Sequence, residues 1–334
     1  MRLQNIEVSA GEKKSGYLKV PGTPYEIPVT VICGVEDGET ALITAGIHNA
    51  EYVGIQAAIE LQNELQPENI RGTLVIVPLV NVSGFQKRTM SVVWEDNKNL
   101  NREFPGDANG SMASRFCYMI EKDLLSIANY YIDLHSGDGY EKLDSYAYYV
   151  GAVEPAVRET AFEMACRVSM DCLVESQGLS GGAYNYASSL GIPSILLERG
   201  GCGLWNSHEV DQDKADVRRI LAYLHILKDA DGSHPEEKHL IFRDAVYENA
   251  PIYGCWYPFF HTGDFFKEGE LLGEIRDYFG NTLHQCYAKA DGMILYQTGS
   301  LSVVQDGPMV AYGVMPEERH QYCGGREGHT HQHE

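Results

Sequence analysis

The sequence predicts an α/β protein in which a sheet is layered with helices and followed by a small all-β unit. Three observations carry this expectation. Up to about residue 230, short apolar runs alternate with helical patterns. Around 229–239, DADGSHPEEKH, the chain turns polar and turn-rich. Beyond that segment the helical period disappears. The apolar runs lie at 29–32, 41–45, 74–80, 130–134 and 192–197 and have strand length. Between them Met112, Phe116, Met119, Ile120, Leu124 and Ile127 recur at helical spacing, as do Val217, Leu221 and Leu224. Ile55, Ala58, Ile59 and Leu65 mark another helix after the 41–45 run. From 240 to 314 the text reads as short strands broken by turns, among them GCWYPFF, GDFFKEGELLGEI, ADGMILY and LSVVQDGPMVAYG. The expected organisation is an α/β domain over 1–235, a β domain over 240–316 and a flexible tail over 317–334, which ends in HTHQHE.

Composition narrows the function classes. The 334 residues suffice for one large domain with an appendage, and 44% hydrophobic with 22% charged residues is an ordinary globular balance. Twenty-six basic against 47 acidic side chains give a net charge of -21, which repels nucleic acid and anionic lipid. Neither is an expected partner. No run approaches the roughly 18 apolar residues of a membrane span, and the N-terminus shows no secretory h-region. The eight cysteines form no CxxC pair, so a reducing, cytoplasmic setting is expected.

The residues able to carry chemistry sit at strand ends. In AGIHNAEYVG, His48 and Glu51 have a spacing that brings an imidazole nitrogen and a carboxylate oxygen to one point. His135, in YYIDLHSGD, also follows a buried strand. A His2Glu set leaves the fourth zinc position open, as catalytic rather than structural zinc requires. Asp133, two residues earlier, points to the same side of an extended chain and could orient the site, or could simply bond backbone amides at the strand end. Glu198 ends the run GIPSILLE and is the candidate base; a buried Glu198–Arg199 pair is the competing account. In NLNREFPG, Asn101 and Arg102 offer a donor fork suited to a carboxylate. Arg88, in GFQKRT, could face the oxyanion of a tetrahedral intermediate, with Lys87 its rival.

The four segments GIHNAEYVG, NLNREFPG, IDLHSGD and LLERGG, in this order and at these intervals, resemble the succinylglutamate desuccinylase and aspartoacylase family, a branch of the zinc carboxypeptidase superfamily. The similarity spans about residues 28 to 230. It implies a zinc-carboxypeptidase-like mixed sheet flanked by helices, one Zn2+ per chain held by His48, Glu51 and His135, and Glu198 as general acid/base. It further implies Asn101 and Arg102 as carboxylate binders and Arg88 as the group polarising the scissile carbonyl. Many relatives carry an Asp where this chain has Asn99, so support for a metal-binding histidine would come from an amide oxygen.

The β domain resembles the barrel-sandwich fold of biotinyl and lipoyl carriers. Lys289 lacks the sequence context of a carrier lysine, so the domain is expected to be a lid over the zinc site or an oligomerisation element that would make the protein a homo-oligomer. The loop 178–189, with Tyr184 and Tyr186, reads as a surface loop able to line a pocket. The expected activity is zinc-dependent hydrolysis of the amide of a small N-acyl amino acid. The alternatives are a metallocarboxypeptidase acting on short or cell-wall peptides and a non-catalytic metabolite-binding protein. A charge of -21 requires that an anionic substrate meet clustered arginines or carry a compensating amine, as acylated diamino acids do.

Overall fold

The apolar runs pair side by side into one mixed sheet. The computed structural model describes residues 1–235, 238–316 and, for the backbone alone, 322–324. Among the described residues ten strands form this sheet, in the order Tyr322–Gly324, Lys238–Phe242, Cys172–Ser176, Tyr146–Val150, Ser194–Glu198, Tyr130–His135, Glu36–Ala45, Arg71–Val77, Glu26–Cys33 and Lys13–Lys19. Four adjacent central strands, Ser194–Glu198, Tyr130–His135, Glu36–Ala45 and Arg71–Val77, are parallel. Their carboxyl ends therefore open onto one edge, where α/β sheets bind ligands. The register aligns Ala45 with Leu134 and His135 with Glu198.

Helices cover both faces. Tyr52–Glu64, Pro155–Ala165 and Ser207–Tyr223 bury Val53, Ala57, Leu61, Met164, Val217 and Leu221 against one face. Phe116, Met119, Ile120 and Leu124 pack against the other, together with Ala183 and Ala187. The periodicity over 112–127 is met by an α-helix, Met112–Met119, that runs on through a π turn, Ile120–Leu124, and a short 3-10 turn. The wider turn shifts the helical phase, so that Leu124 and Leu125 both stay buried. The segment 183–189 is likewise a helix and not a loop, because Ala183 and Ala187 bury one face of it. No helix among the described residues is long and apolar enough to cross a membrane.

The C-terminal strands form two smaller antiparallel sheets, with Trp256, Phe266, Leu272, Ile275, Met309 and Tyr312 in a common core. The two parts exchange strands. Lys238–Phe242 lies parallel to Cys172–Ser176 in the large sheet, while Glu141–Leu143 pairs with Gly292–Thr298 in the small one. A second apolar cluster, including Tyr146, Val174, Phe242, Met293 and Leu295, seals the junction. Of the tail expected over 317–334, the backbone of Tyr322–Gly324 pairs with Lys238–Phe242; its remaining residues, HTHQHE included, lie outside the described residues.

One close approach fixes the helix that follows Glu51. A Cβ at Gly54 would lie 2.7 Å from the Leu134 side chain and 3.0 Å from the Leu134 carbonyl oxygen. The helix thus rests directly on the strand that ends in His135. Gly54→Ala is expected to destabilise the protein by about 1–3 kcal/mol through overpacking, and to weaken metal retention because Glu51 moves with the helix. Urea unfolding and metal content check this; a variant with an unchanged midpoint would show that the contact relaxes freely.

Candidate active site

Two turns and two strand ends deliver the functional side chains to the carboxyl edge. After Ala45, Gly46 adopts a φ of 68°, a conformation that L side chains rarely take, and turns the chain so that His48 returns over the edge. Glu51 occupies the N-cap position of Tyr52–Glu64, yet its side chain makes no cap bond. Its carboxylate instead bridges the two histidines, with Oε1 2.7 Å from Nδ1 of His48 and Oε2 2.8 Å from Nδ1 of His135. The Ser136 backbone N–H donates to Oε2 at 3.1 Å. Glu51 is 2% exposed, so it is not a solvated carboxylate at a helix N-terminus.

The outer nitrogens are also occupied. His48 Nε2 lies 3.0 Å from Asn99 Oδ1, which already accepts from the Asn101 backbone N–H; Nε2 must therefore be the donor. His135 Nε2 lies 3.1 Å from Asp133 Oδ2, and Thr44 donates its hydroxyl to Asp133 Oδ1 at 2.7 Å. Asp133 thus orients an imidazole and does not bond backbone amides as a strand-end acid would. With both Nε2 atoms donating, the two Nδ1 lone pairs face a carboxylate at under 3 Å, and only positive charge between them satisfies the arrangement. Burial tends to raise the pKa of Glu51, but the two imidazoles outweigh it and hold it at about 2. Burial tends to lower that of His135, but Asp133 and Glu51 outweigh it and hold it well above the ordinary imidazole range. The ligand atoms of His48, Glu51 and His135 lie within 4.8 Å of one another, so this donor set could hold a metal ion. The two nitrogens and one carboxylate oxygen fit zinc, and Asn99 and Asp133 supply the outer hydrogen bonds that orient its ligands.

Glu198 stands beside His135 in the next strand. Strand alternation sends Glu198 and Arg199 to opposite faces, which decides between the two accounts of this carboxylate. Arg199 is buried on the far face, where Nε donates to Asp213 at 2.8 Å and Nη2 to Asp216 at 2.5 Å, both on helix Ser207–Tyr223. Glu198 keeps a buried Oε2 with no hydrogen-bond partner among the described residues. Burial, and then the charge of Glu51, push its pKa well above the carboxylate range.

An inner cavity of about 260 Å³ contains His48, Glu51, His135, Glu198, Asn101 and Arg102 in its wall. Ala183 N–H donates to Asn101 Oδ1 at 2.8 Å, which leaves the Asn101 amide nitrogen for a ligand. An outer cavity of about 430 Å³ shares His48, Glu51 and Arg102 with it. Arg88 joins neither. It is exposed at the left-handed C-cap of helix Val82–Lys87, and exposed Lys87 lines neither of the two cavities. Tyr184 lines the inner cavity, whereas Tyr186 does not.

Several lining residues are not singled out by the sequence reading: Asp138, Glu141, Tyr146, Tyr148, Tyr247 and Tyr296. Tyr146 and Tyr148 carry a faint signal, the alternation in YAYYV. Glu141, Tyr247 and Tyr296 carry none, because strand pairing between the two parts of the chain brings them in. Burial, then the charges of Glu51 and Asp138, push the Glu141 pKa up to about 8.

A sequence model for the succinylglutamate desuccinylase/aspartoacylase catalytic domain matches residues 37–224. The N-alpha-acetyl-L-2,4-diaminobutyric acid deacetylase of Halomonas elongata is 36% identical over 141 residues, which is 40% of this chain and 40% of that relative. The match thus spans less than half of the relative's length. The product-bound ectoine utilization protein of Ruegeria pomeroyi superimposes with a TM-score of 0.83 at 24% identity, over 93% of this chain and 98% of that one. The succinylglutamate desuccinylase/aspartoacylase of Rhodobacter sphaeroides gives 0.82 at 23% identity, over 94% and 99%. Both share the fold described above.

Two outcomes follow from this geometry. His135→Ala is expected to lose bound divalent metal by elemental analysis, while Asn99→Ala should weaken it roughly 10- to 100-fold in a chelator competition. Arg199→Ala leaves Asp213 buried without its cation, while Asp216 keeps Arg219, and should cost about 3–5 kcal/mol in urea unfolding.

Proposed function

We propose, for a chain that belongs to the succinylglutamate desuccinylase/aspartoacylase family, a zinc-dependent hydrolase that cleaves the amide bond of a small N-acyl amino acid. The observation that carries this reading is the meeting, in one cavity of about 260 Å³, of a His2Glu donor set and Glu198, whose buried Oε2 has no hydrogen-bond partner among the described residues. The relative from Halomonas elongata, named for deacetylating an N-acetylated amino acid, supports the substrate class.

His48, Glu51 and His135 would hold the zinc ion, which supplies Lewis acidity to the acyl carbonyl and to the attacking water. Glu198 takes the proton of that water as its oxygen bonds to the acyl carbon. When the C–N bond breaks, Glu198 returns the proton to the leaving amine, giving a free amine and the carboxylic acid, which loses its own proton to solvent. A buried base with raised proton affinity suits both halves of this transfer. Asn101, through its free amide N–H, and Arg102 grip the substrate carboxylate and fix the amide beside Glu198. The expected oxyanion role of Arg88 is retained only as a movement on substrate binding, since the exposed C-cap at which it lies belongs to neither cavity wall. The β domain acts as a lid, contributing Tyr247 and Tyr296 to the wall. The size of the inner cavity favours a metabolite over the C-terminus of a peptide.

Glu198→Gln should retain metal and lose kcat roughly 10²- to 10⁴-fold on N-acetyl amino acids. Arg102→Ala should mainly raise KM, by roughly tenfold or more, for substrates bearing the α-carboxylate. Turnover of C-terminal peptides alone, measured beside N-acyl amino acids, would overturn the deacylase reading, and activity unaffected by chelator would overturn the zinc assignment.

A further inference from the structure

The two cavities are charged unevenly. Four carboxylates, those of Glu51, Asp138, Glu141 and Glu198, stand in their walls against one guanidinium, that of Arg102. A substrate with one carboxylate uses Arg102, and a second carboxylate would face only acids. The preferred small molecule therefore brings a cation with it.

Glu141 is the group placed to receive that cation. It lines both cavities and so stands at their junction, within reach of the space shared by the metal ligands and Arg102. Its backbone is tied down on both sides: its N–H donates to the Asp138 carbonyl at 3.0 Å and its carbonyl accepts from Cys202 N–H at 2.7 Å. Strand pairing with Thr298 fixes its direction. Its carboxyl group accepts from the Asp138 backbone N–H and forms no ion pair among the described residues, so acceptor capacity is left for a ligand. Tyr146 and Tyr296 share the inner wall with it, and aromatic faces beside a carboxylate suit an ammonium group better than an anion. Tyr296 lies in the strand that pairs with Glu141–Leu143, and both residues line the two cavities. The proposed roles leave Glu141 unused: His48, Glu51 and His135 form the metal set, and Glu198 is the proton carrier.

We propose that Glu141 is a specificity-determining residue that binds a second, positively charged amine of the substrate, so that the enzyme selects N-acyl amino acids bearing an ammonium group and rejects those bearing a second carboxylate. The proposal rests on the deacylase reading and adds the charge of the substrate's side chain to it.

The test compares kcat/KM of the zinc-loaded, full-length enzyme for three probes: Nα-acetyl-2,4-diaminobutyrate, the amine-free N-acetyl-2-aminobutyrate, and N-acetylglutamate. The wild type should prefer the first over the second by roughly 10- to 100-fold and turn over the third least. In Glu141→Gln the ratio of the first two should fall to within about threefold, through KM for the amine probe, and Glu141→Lys should shift preference toward N-acetylglutamate. Because ratios are read within one preparation, partial misfolding cancels. A wild type without preference, or a Glu141→Gln variant that keeps the wild-type ratio or loses all probes equally, would overturn the proposal while leaving the deacylase reading intact. Absence of turnover on every probe would instead overturn that reading.

Discussion

The rest of the site depends on one carboxylate, Glu51, held between two imidazoles. Its two oxygens meet the Nδ1 atoms of His48 and His135 at 2.7 and 2.8 Å, in surroundings where it is almost fully removed from water. Burying a charge in this way is costly unless it is paired, and here the pairing is built from both sides. Asn99 and Asp133 accept from the outer nitrogens, which turns both inner lone pairs toward the same point. The donor set is thus oriented toward a single point, and the sheet supplies the precision. His135 ends a central strand, Glu51 caps a helix resting on it through Gly54, and His48 rides the turn between them.

Behind the sheet, a second buried charge system does a different job. Arg199, one residue from Glu198, is satisfied by Asp213 and Asp216 on the far face. Its guanidinium is consequently not available to neutralise Glu198, and the strand end that carries the carboxylate is tethered to the helix Ser207–Tyr223. The same two-residue alternation that buries the arginine leaves Oε2 of the glutamate in the cavity without a hydrogen-bond partner among the described residues. A paired Glu198 would be a poor proton carrier, so the separation of the two neighbours has a chemical consequence.

The C-terminal sheets complete the cavity wall. The exchange of Glu141–Leu143 into the small sheet and of Lys238–Phe242 into the large one makes the relative placement of the two parts a matter of backbone hydrogen bonds. Glu141, Tyr247 and Tyr296 reach the site through this interlock. They change the character of the cavity from a His2Glu cluster with a guanidinium to a tyrosine-walled, acid-rich one.

By itself the sequence determined the layered α/β architecture, the strands near 29–32, 41–45, 74–80, 130–134 and 192–197, and the segments carrying His48, Glu51, Asn101, Arg102, His135 and Glu198. These are legible because buried parallel strands need continuous apolar runs, and because the polar residue that follows such a run sits at the sheet's edge. The tertiary structure alone decided which face each strand-end residue meets. It freed Glu198 from Arg199, set Asp133 on His135, and put Arg88 at an exposed helix end outside both cavities. It also folded 183–189 into a helix that carries Tyr184 to the cavity, and drew Glu141 and the tyrosines of the C-terminal sheets to the metal-binding edge. Those facts depend on long-range pairing between strands, and no local spacing of residues encodes which distant side chain will stand opposite another.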